Sequence, residues 1–136
     1  CAPSLSLITV NALAAVNGVI IPMQCEYYAL EGLADLTQTI DRIQKALNPS
    51  LAIVGVLRTM YDARNALTRD VSAELEQYFC KKLYETVIPR NIRLAEAPAH
   101  GLPVIYFEKS SKGAIAYLNL AAEMLKKSKV KKGSSV

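Results

Sequence analysis

Val19-Ile20-Ile21-Pro22-Met23 and, farther along, Leu51-Ala52-Ile53-Val54-Gly55-Val56-Leu57 are the two runs that decide the fold. Each is short, continuously apolar and rich in β-branched residues, the pattern of a strand buried on both faces. Between them Leu33, Leu36, Ile40, Ile43 and Leu47 recur at steps of three and four, which predicts a helix that Asn48-Pro49 stops. A strand, a helix and a second strand in this order form a right-handed crossover between parallel neighbours.

The pattern continues outward from that unit. Upstream, Pro3 and Ser4 suit a helix start, and Leu5, Ile8, Ala12 and Val16 mark a face that Asn17-Gly18 ends. Downstream, residues 59–64 read as a loop, Val71, Leu75 and Tyr78 as a helix face, and residues 84–88 as a third strand closed by Pro89. Residues 91–97 read as a short helix, residues 104–107 as a brief strand, and Ala114, Leu118, Ala121 and Leu125 as the stripe of a last helix. Residues 127–136 are almost all Lys, Ser and Gly, bury almost nothing and are expected to be a disordered basic tail, leaving 1–126 as one folded unit. The fold class is therefore α/β, a partial doubly wound parallel sheet flanked by helices. In such sheets ligands bind beyond the carboxyl ends of the strands, so function is expected in the loops after Met23, Leu57, Ile88 and Phe107.

At 136 residues, 51% of them hydrophobic, the chain is one domain's worth, and no apolar run approaches the ~20 residues of a membrane span. Cys1, Cys25 and Cys80 are odd in number and form no CxxC pair, which argues against a zinc site or a disulfide framework and for a reducing compartment. The formal charge of +4 is misleading until it is located. Lys126, Lys127, Lys129, Lys131 and Lys132 lie at the end, which leaves eleven basic against twelve acidic groups in residues 1–125. Within that neutral body, Lys81, Lys82, Arg90, Arg93, Lys109 and Lys112 cluster in one stretch and form a patch candidate. His100 is solitary in a loop between Pro98 and Pro103, where a structural bond fits better than catalysis.

Several stretches, in this order, resemble the ParA/Soj family of deviant Walker-type partition ATPases: Cys1-Ala2-Pro3-Ser4-Leu5 leading into Thr9-Val10-Asn11-Ala12-Leu13, then Pro22-Met23-Gln24-Cys25-Glu26-Tyr27-Tyr28-Ala29-Leu30-Glu31-Gly32, and Val87-Ile88-Pro89-Arg90-Asn91-Ile92-Arg93-Leu94-Ala95-Glu96-Ala97-Pro98. Thr59-Met60-Tyr61-Asp62-Ala63-Arg64 and Ser111-Lys112-Gly113-Ala114 extend the match to about residue 126. The resemblance implies the C-terminal half of a P-loop NTPase fold. It places Pro3 and Ser4 in a switch segment, although both also read as a helix cap, and Ala2 stands where the family has a proline. The switch aspartate and the glycine-rich Walker A loop are expected upstream of Cys1, so no catalytic residue and no metal ligand is assigned within the chain.

The resemblance further implies that Thr59, Met60, Pro89, Arg90 and Asn91 hold adenine, where the alternative is ordinary turn residues at strand ends. Arg90, Arg93, Lys109 and Lys112 are implied contacts to DNA phosphate, where the alternative is a solvated charged face. The Gln24 to Gly32 stretch is implied to face a partner protomer, with Tyr27, Tyr28 and Leu30 otherwise read as core or a helix start, and Glu26 as a charge at that helix's N-terminus. Implied cofactors are ATP and Mg2+ in the whole protein, neither held tightly by this stretch alone. Implied partners are a second copy in a homodimer, nonspecific DNA and a ParB-type centromere-binding protein, with a cytoplasmic, nucleoid-associated location and no stable membrane association. Two other readings remain open: a MinD-like membrane-associated positioning ATPase, and a non-enzymatic flavodoxin-like binding domain.

Overall fold

In the computed structural model, which describes residues 6–133, the chain alternates helix and strand from its first described turn. Pro3, Ser4 and Leu5 lie outside the described residues. Helix α1, Leu7–Ala15, starts at Ser6, whose hydroxyl accepts from the Thr9 amide at 3.3 Å. Its far end is closed from a distance rather than by Asn17-Gly18: Val16 is extended, and the Asn48 Nδ2 donates to the Leu13 and Val16 carbonyls at 3.0 and 2.7 Å. A buried asparagine thereby takes up carbonyls that a helix end leaves open.

Strand β1, Gly18–Gln24, pairs in parallel with strand β2, Ala52–Thr59, through helix α2, Ala29–Ala46, with one register shift between Val19 and Ile20. Helix α3, Ala66–Phe79, follows, capped by the Asn65 side chain. Short helices α4, Ile92–Glu96, and α5, Val104–Phe107, precede the last helix α6, Lys112–Gly133, whose first turn is capped by Ser111. The strand side chains alternate between two cores. Ile21, Met23 and Val56 pack with Leu33, Ile40, Ile43, Val71 and Leu75 on one face. On the other, Ile20 and Leu57 pack with Tyr84, Ile88, Leu94, Ala116 and Leu120. Helices thus cover both faces, as the doubly wound reading requires.

Residues 84–88 are not a continuous strand. They run parallel to β2 between two isolated bridges, Val56 with Leu83 and Tyr61 with Pro89. Tyr84 N–H donates to the Val56 carbonyl at 2.9 Å and Ile88 N–H to the Arg58 carbonyl at 2.9 Å, so four steps here span two on β2. Equal steps would be needed for a regular ladder. The expected strand at 104–107 is a helical turn, because Tyr106 and Phe107 N–H return to the Pro103 carbonyl at 2.9 and 3.0 Å.

Four helix faces also differ from the periodic reading. Tyr78, Ile8 and Leu47 are exposed, and on α6 Ala114 of the expected stripe is buried, but the buried line runs on through Ala116 and Leu120 to the partly covered Glu123 and Lys127, while Leu118, Ala121 and Leu125 face outward. Helix α6 also continues well into the stretch expected to be a tail, in keeping with the good helix propensity of lysine. Gly113 is required where α6 meets α4, since a Cβ there would stand 2.5 Å from the Leu94 side chain.

Candidate functional site

The carboxyl ends of β2 and of the segment after it come together as one wall. Tyr61 N–H donates to the Ile88 carbonyl at 3.0 Å, and Arg90 N–H donates to the Tyr61 carbonyl at 3.1 Å. These two bonds set Thr59 and Met60 beside Pro89, Arg90 and Asn91. Met60 carries a φ of 51° and is 47% exposed, a left-handed backbone that a non-glycine residue rarely adopts and that turns the chain sharply out of the strand. Pro89 is half-buried, and Asn91 accepts the Arg93 amide at 3.1 Å to start α4.

Tyr61 and Asp62 lie in the loop expected at the adenine without a named role there, and with Arg64 they belong to the same wall. The Arg64 Nε and one terminal nitrogen bond both Asp62 oxygens at 3.0 and 2.9 Å. Those side-chain bonds, the Arg64 amide and the nearby charge of Arg90 hold the Asp62 carboxyl down at about 2. Arg64 itself stands almost wholly in solvent, so this end of the sheet carries one more cation than the expected patch.

The patch divides in space. Arg93 pairs with Glu96 at 2.7 Å and Glu108 at 3.7 Å, which brings residue 109 beside α4, and Lys112 lines a groove of about 360 Å3 with Val87, Pro89 and Ile115. Arg90, Arg93, Lys109 and Lys112 therefore share the carboxyl end, all exposed. Lys81 and Lys82 instead precede Leu83 at the opposite end, where Lys127 of α6 reaches the Leu83 carbonyl at 3.4 Å.

After β1, Tyr27 and Tyr28 meet edge to face at 5.1 Å and are both largely exposed, which rules out their reading as core, while Leu30 packs partly against the core. They border an open groove of about 600 Å3 between β1 and α2, lined also by Met23 and Leu36. The acid in the first turn of α2 is Glu31, with Glu26 ahead of it. Cys25 is buried beside this groove, and burial pushes its thiol pKa up against the opposing charge of Arg58. His100 stacks on Phe107 at 4.7 Å. Among the described residues no three His, Cys, Asp or Glu side chains gather as metal ligands, and no helix is long and apolar enough to cross a membrane.

Beneath the wall lies a polar arrangement that apolar patterning hides. Arg58, 7% exposed on β2, donates to Ser72 and Glu76 at 2.8 Å each and to the Tyr84 and Glu85 carbonyls at 3.0 and 3.2 Å. From the other face the Glu123 carboxylate accepts the Glu85 and Thr86 amides at 2.9 and 3.0 Å and pairs with Lys127 at 3.0 Å. Burial acts to raise the Glu123 pKa, but these amides, Thr86 and Lys127 outweigh it and bring it to about 2. An arginine inside the run Leu57-Arg58-Thr59 was the available signal for the first group; the spacing of Glu123 and Lys127 from Ala116 and Leu120 was the signal for the second.

A family model described as an AAA domain matches residues 1–53. The Bacillus subtilis sporulation initiation inhibitor protein Soj is 56% identical over 124 residues, covering 91% of this chain and 49% of that protein. The Myxococcus xanthus chromosome partitioning protein ParA is 50% identical over 127 residues, covering 93% of this chain and 45% of that protein. Among solved structures, cobyrinic acid a,c-diamide synthase from Mycobacterium smegmatis superimposes with a TM-score of 0.70 at 34% identity over 92% of this chain and 44% of that one. The same synthase has been solved with ADP and magnesium bound. The chain spans about half the length of the curated relatives it matches.

Proposed function

The chain belongs to the Soj/ParA family of chromosome-partitioning ATPases, and on that premise we propose that it forms the adenine-side wall and part of the DNA-binding face of such an ATPase. Thr59, Met60, Pro89, Arg90 and Asn91 hold the base: Met60 and Pro89 offer apolar surface, and the turned-out backbone and Asn91 offer polar groups to its edge. A base pocket needs that combination of a flat apolar wall and a few fixed polar groups. The observation that carries this reading is the pair of backbone bonds through Tyr61, which closes two loops distant in sequence into one surface at the carboxyl end of the sheet.

Magnesium does not fit the described residues, which gather no set of acidic side chains for it. In this reading the metal and the phosphates are held by the half of the relatives' length that the chain does not span, together with the switch segment at Pro3 and Ser4. When bound, ATP supplies the phosphoryl group whose transfer to water times the cycle. This chain's own residues orient the base and present a surface to a second copy around Tyr27 and Tyr28, completing a homodimer.

Arg90, Arg93, Lys109 and Lys112 meet DNA phosphates without reading sequence, an interaction whose strength comes from counterion release. The exposed ion pairs of Arg93 are cheap to exchange for phosphate. A ParB-type centromere-binding protein stimulates hydrolysis, and the protein works in the cytoplasm on the nucleoid, without stable membrane association. Residues 1–126 act as the ATPase portion, with 127–136 as its basic extension.

Titration of ATP with magnesium into the full-length protein, and separately into this chain, tests the reading. Tight binding by the full-length protein and weak binding by the chain are expected. Magnesium-dependent turnover by this chain alone would overturn the assignment, as would a full-length protein that binds no nucleotide.

A further inference from the structure

We propose that Glu123 is a positioning residue for the base-binding wall, acting from the last helix through the bulge in the segment after α3. The inference rests on the reading that residues 59–62 and 89–91 hold a nucleotide base.

The bulge arises because residues 84–88 take four steps where β2 takes two, between the Tyr84 bond to Val56 and the Ile88 bond to Arg58. Backbone groups inside it have no place in the ladder, and buried ones without partners are costly. The structure divides them by sign. Arg58 takes the Tyr84 and Glu85 carbonyls, and Glu123 takes the Glu85 and Thr86 amides. From the Val56–Leu83 bridge to the Tyr61–Pro89 bridge the segment takes six steps where the chain running on from β2 takes five, so the bulge decides which residue stands opposite Tyr61. Were the pairing continued from Leu83 as a regular ladder, Ile88 would stand opposite Tyr61 in place of Pro89, and that one-residue slip would turn Pro89 and Asn91 off the wall.

Glu123 is itself held in place. Its side chain is 14% exposed and paired with Lys127, whose ammonium also lies 4.5 Å from the centre of the buried Tyr84 ring. The same helix meets α4 through Gly113, where only the absence of a Cβ admits Leu94, so α6 touches the base-binding loop on both sides of residues 89–91. A shift of α6 along its axis therefore pulls on the Glu85 and Thr86 amides, and nucleotide seated on the wall resists that shift.

The test uses Glu123→Gln in the full-length protein. One carboxamide oxygen still accepts an amide, while the Nε2 faces the other N–H donor to donor. ATP affinity is expected to fall about tenfold, equivalent to about 1.4 kcal/mol, while affinity for inorganic tripolyphosphate, which has no base, changes by less than about twofold. Equal losses for both ligands, or an unchanged ATP affinity, would overturn the inference while leaving the proposed function standing. A wild-type protein that binds ATP no better than tripolyphosphate would overturn both. Hydrogen exchange on the wild-type protein supplies a readout independent of the variant's folding: ADP is expected to slow exchange at the Glu85 and Thr86 amides, and protection confined to residues 59–62 and 89–91 would refute the coupling.

Discussion

Replacing Arg58 separates the two things its guanidinium does, which are to pair with a carboxylate and to satisfy backbone carbonyls. Glu76 is the obvious electrostatic partner at 2.8 Å, but its side chain is 61% exposed. Water replaces that partner readily, so Glu76→Gln is expected to cost under about 1 kcal/mol. The Tyr84 carbonyl has no such recourse, because Tyr84 is 1% exposed. Arg58→Met keeps most of the stem and removes every donor. It leaves one buried carbonyl without a partner, at about 1–3 kcal/mol, and regains part of this because a buried guanidinium with an unpartnered Nε no longer has to be desolvated. The net expectation is about 2 kcal/mol for Arg58→Met. For Arg58→Ala, which adds a cavity, about 3–5 kcal/mol is expected. Urea unfolding of the full-length protein measures all three. Equal losses for Glu76→Gln and Arg58→Met would refute the argument, since the ion pair rather than the bulge would then be what Arg58 stabilises.

Glu123 has a depressed folded-state pKa of about 2 against an ordinary 4.5, so its contribution is complete above about pH 4.5 and disappears as pH falls toward 2. Two and a half pH units correspond to about 3 kcal/mol; Glu123→Gln should flatten this acid limb of a urea-midpoint profile, and an unchanged limb would assign it to other carboxylates. For DNA, Arg93→Ala should weaken binding to unrelated sequences alike and lower the slope of log affinity against log salt by about 0.9 for each phosphate no longer neutralised; a weakening that depends on sequence would contradict this role. Among the described residues β1 pairs with β2 alone, and Leu118 and Leu125 of α6 face outward, so this chain expressed by itself is expected to self-associate. Sedimentation equilibrium reads that directly, and a monomer at every concentration would count against it.

The crossover unit was legible because its strands carry the continuous apolar runs 19–23 and 51–57 and the helix between them keeps strict spacing, so local pattern and global fold agree. The third segment was half legible. Its apolar residues do lie beside β2, but a bulge leaves no trace in hydrophobic pattern, since what holds it is one charge from each neighbouring element. Residues 104–107 mislead for a related reason: an apolar run of four fits a strand or a helical turn equally, and Pro103 carries the carbonyl that decides for the turn. On α6 the stripe running from Ala114 through Leu118 reads as the buried one only while Glu123 and Lys127 count as outward residues, whereas Lys127 lies over the Tyr84 ring and Glu123 takes the Glu85 and Thr86 amides. The loops at the strand ends follow from sheet architecture alone, whereas their meeting through Tyr61 needs the register.

That register is where fold and candidate site become one problem. A fully apolar residue at position 58 and another at 123 would satisfy the two cores and would favour a regular ladder between β2 and the segment after α3. A regular ladder is the simpler structure, but it would put a different residue opposite Tyr61. The chain instead buries an arginine and a carboxylate on opposite sides of one bulge, each matched to backbone groups of the other sign. Apolar side chains at these two positions would still fill the cores, but they would match neither set of backbone groups and would leave the alternative pairing open. Besides the register shift at Val19 and Ile20, local rules are broken directly beneath the residues assigned to the base, which is where a fold that gives up regularity for function is expected to do so.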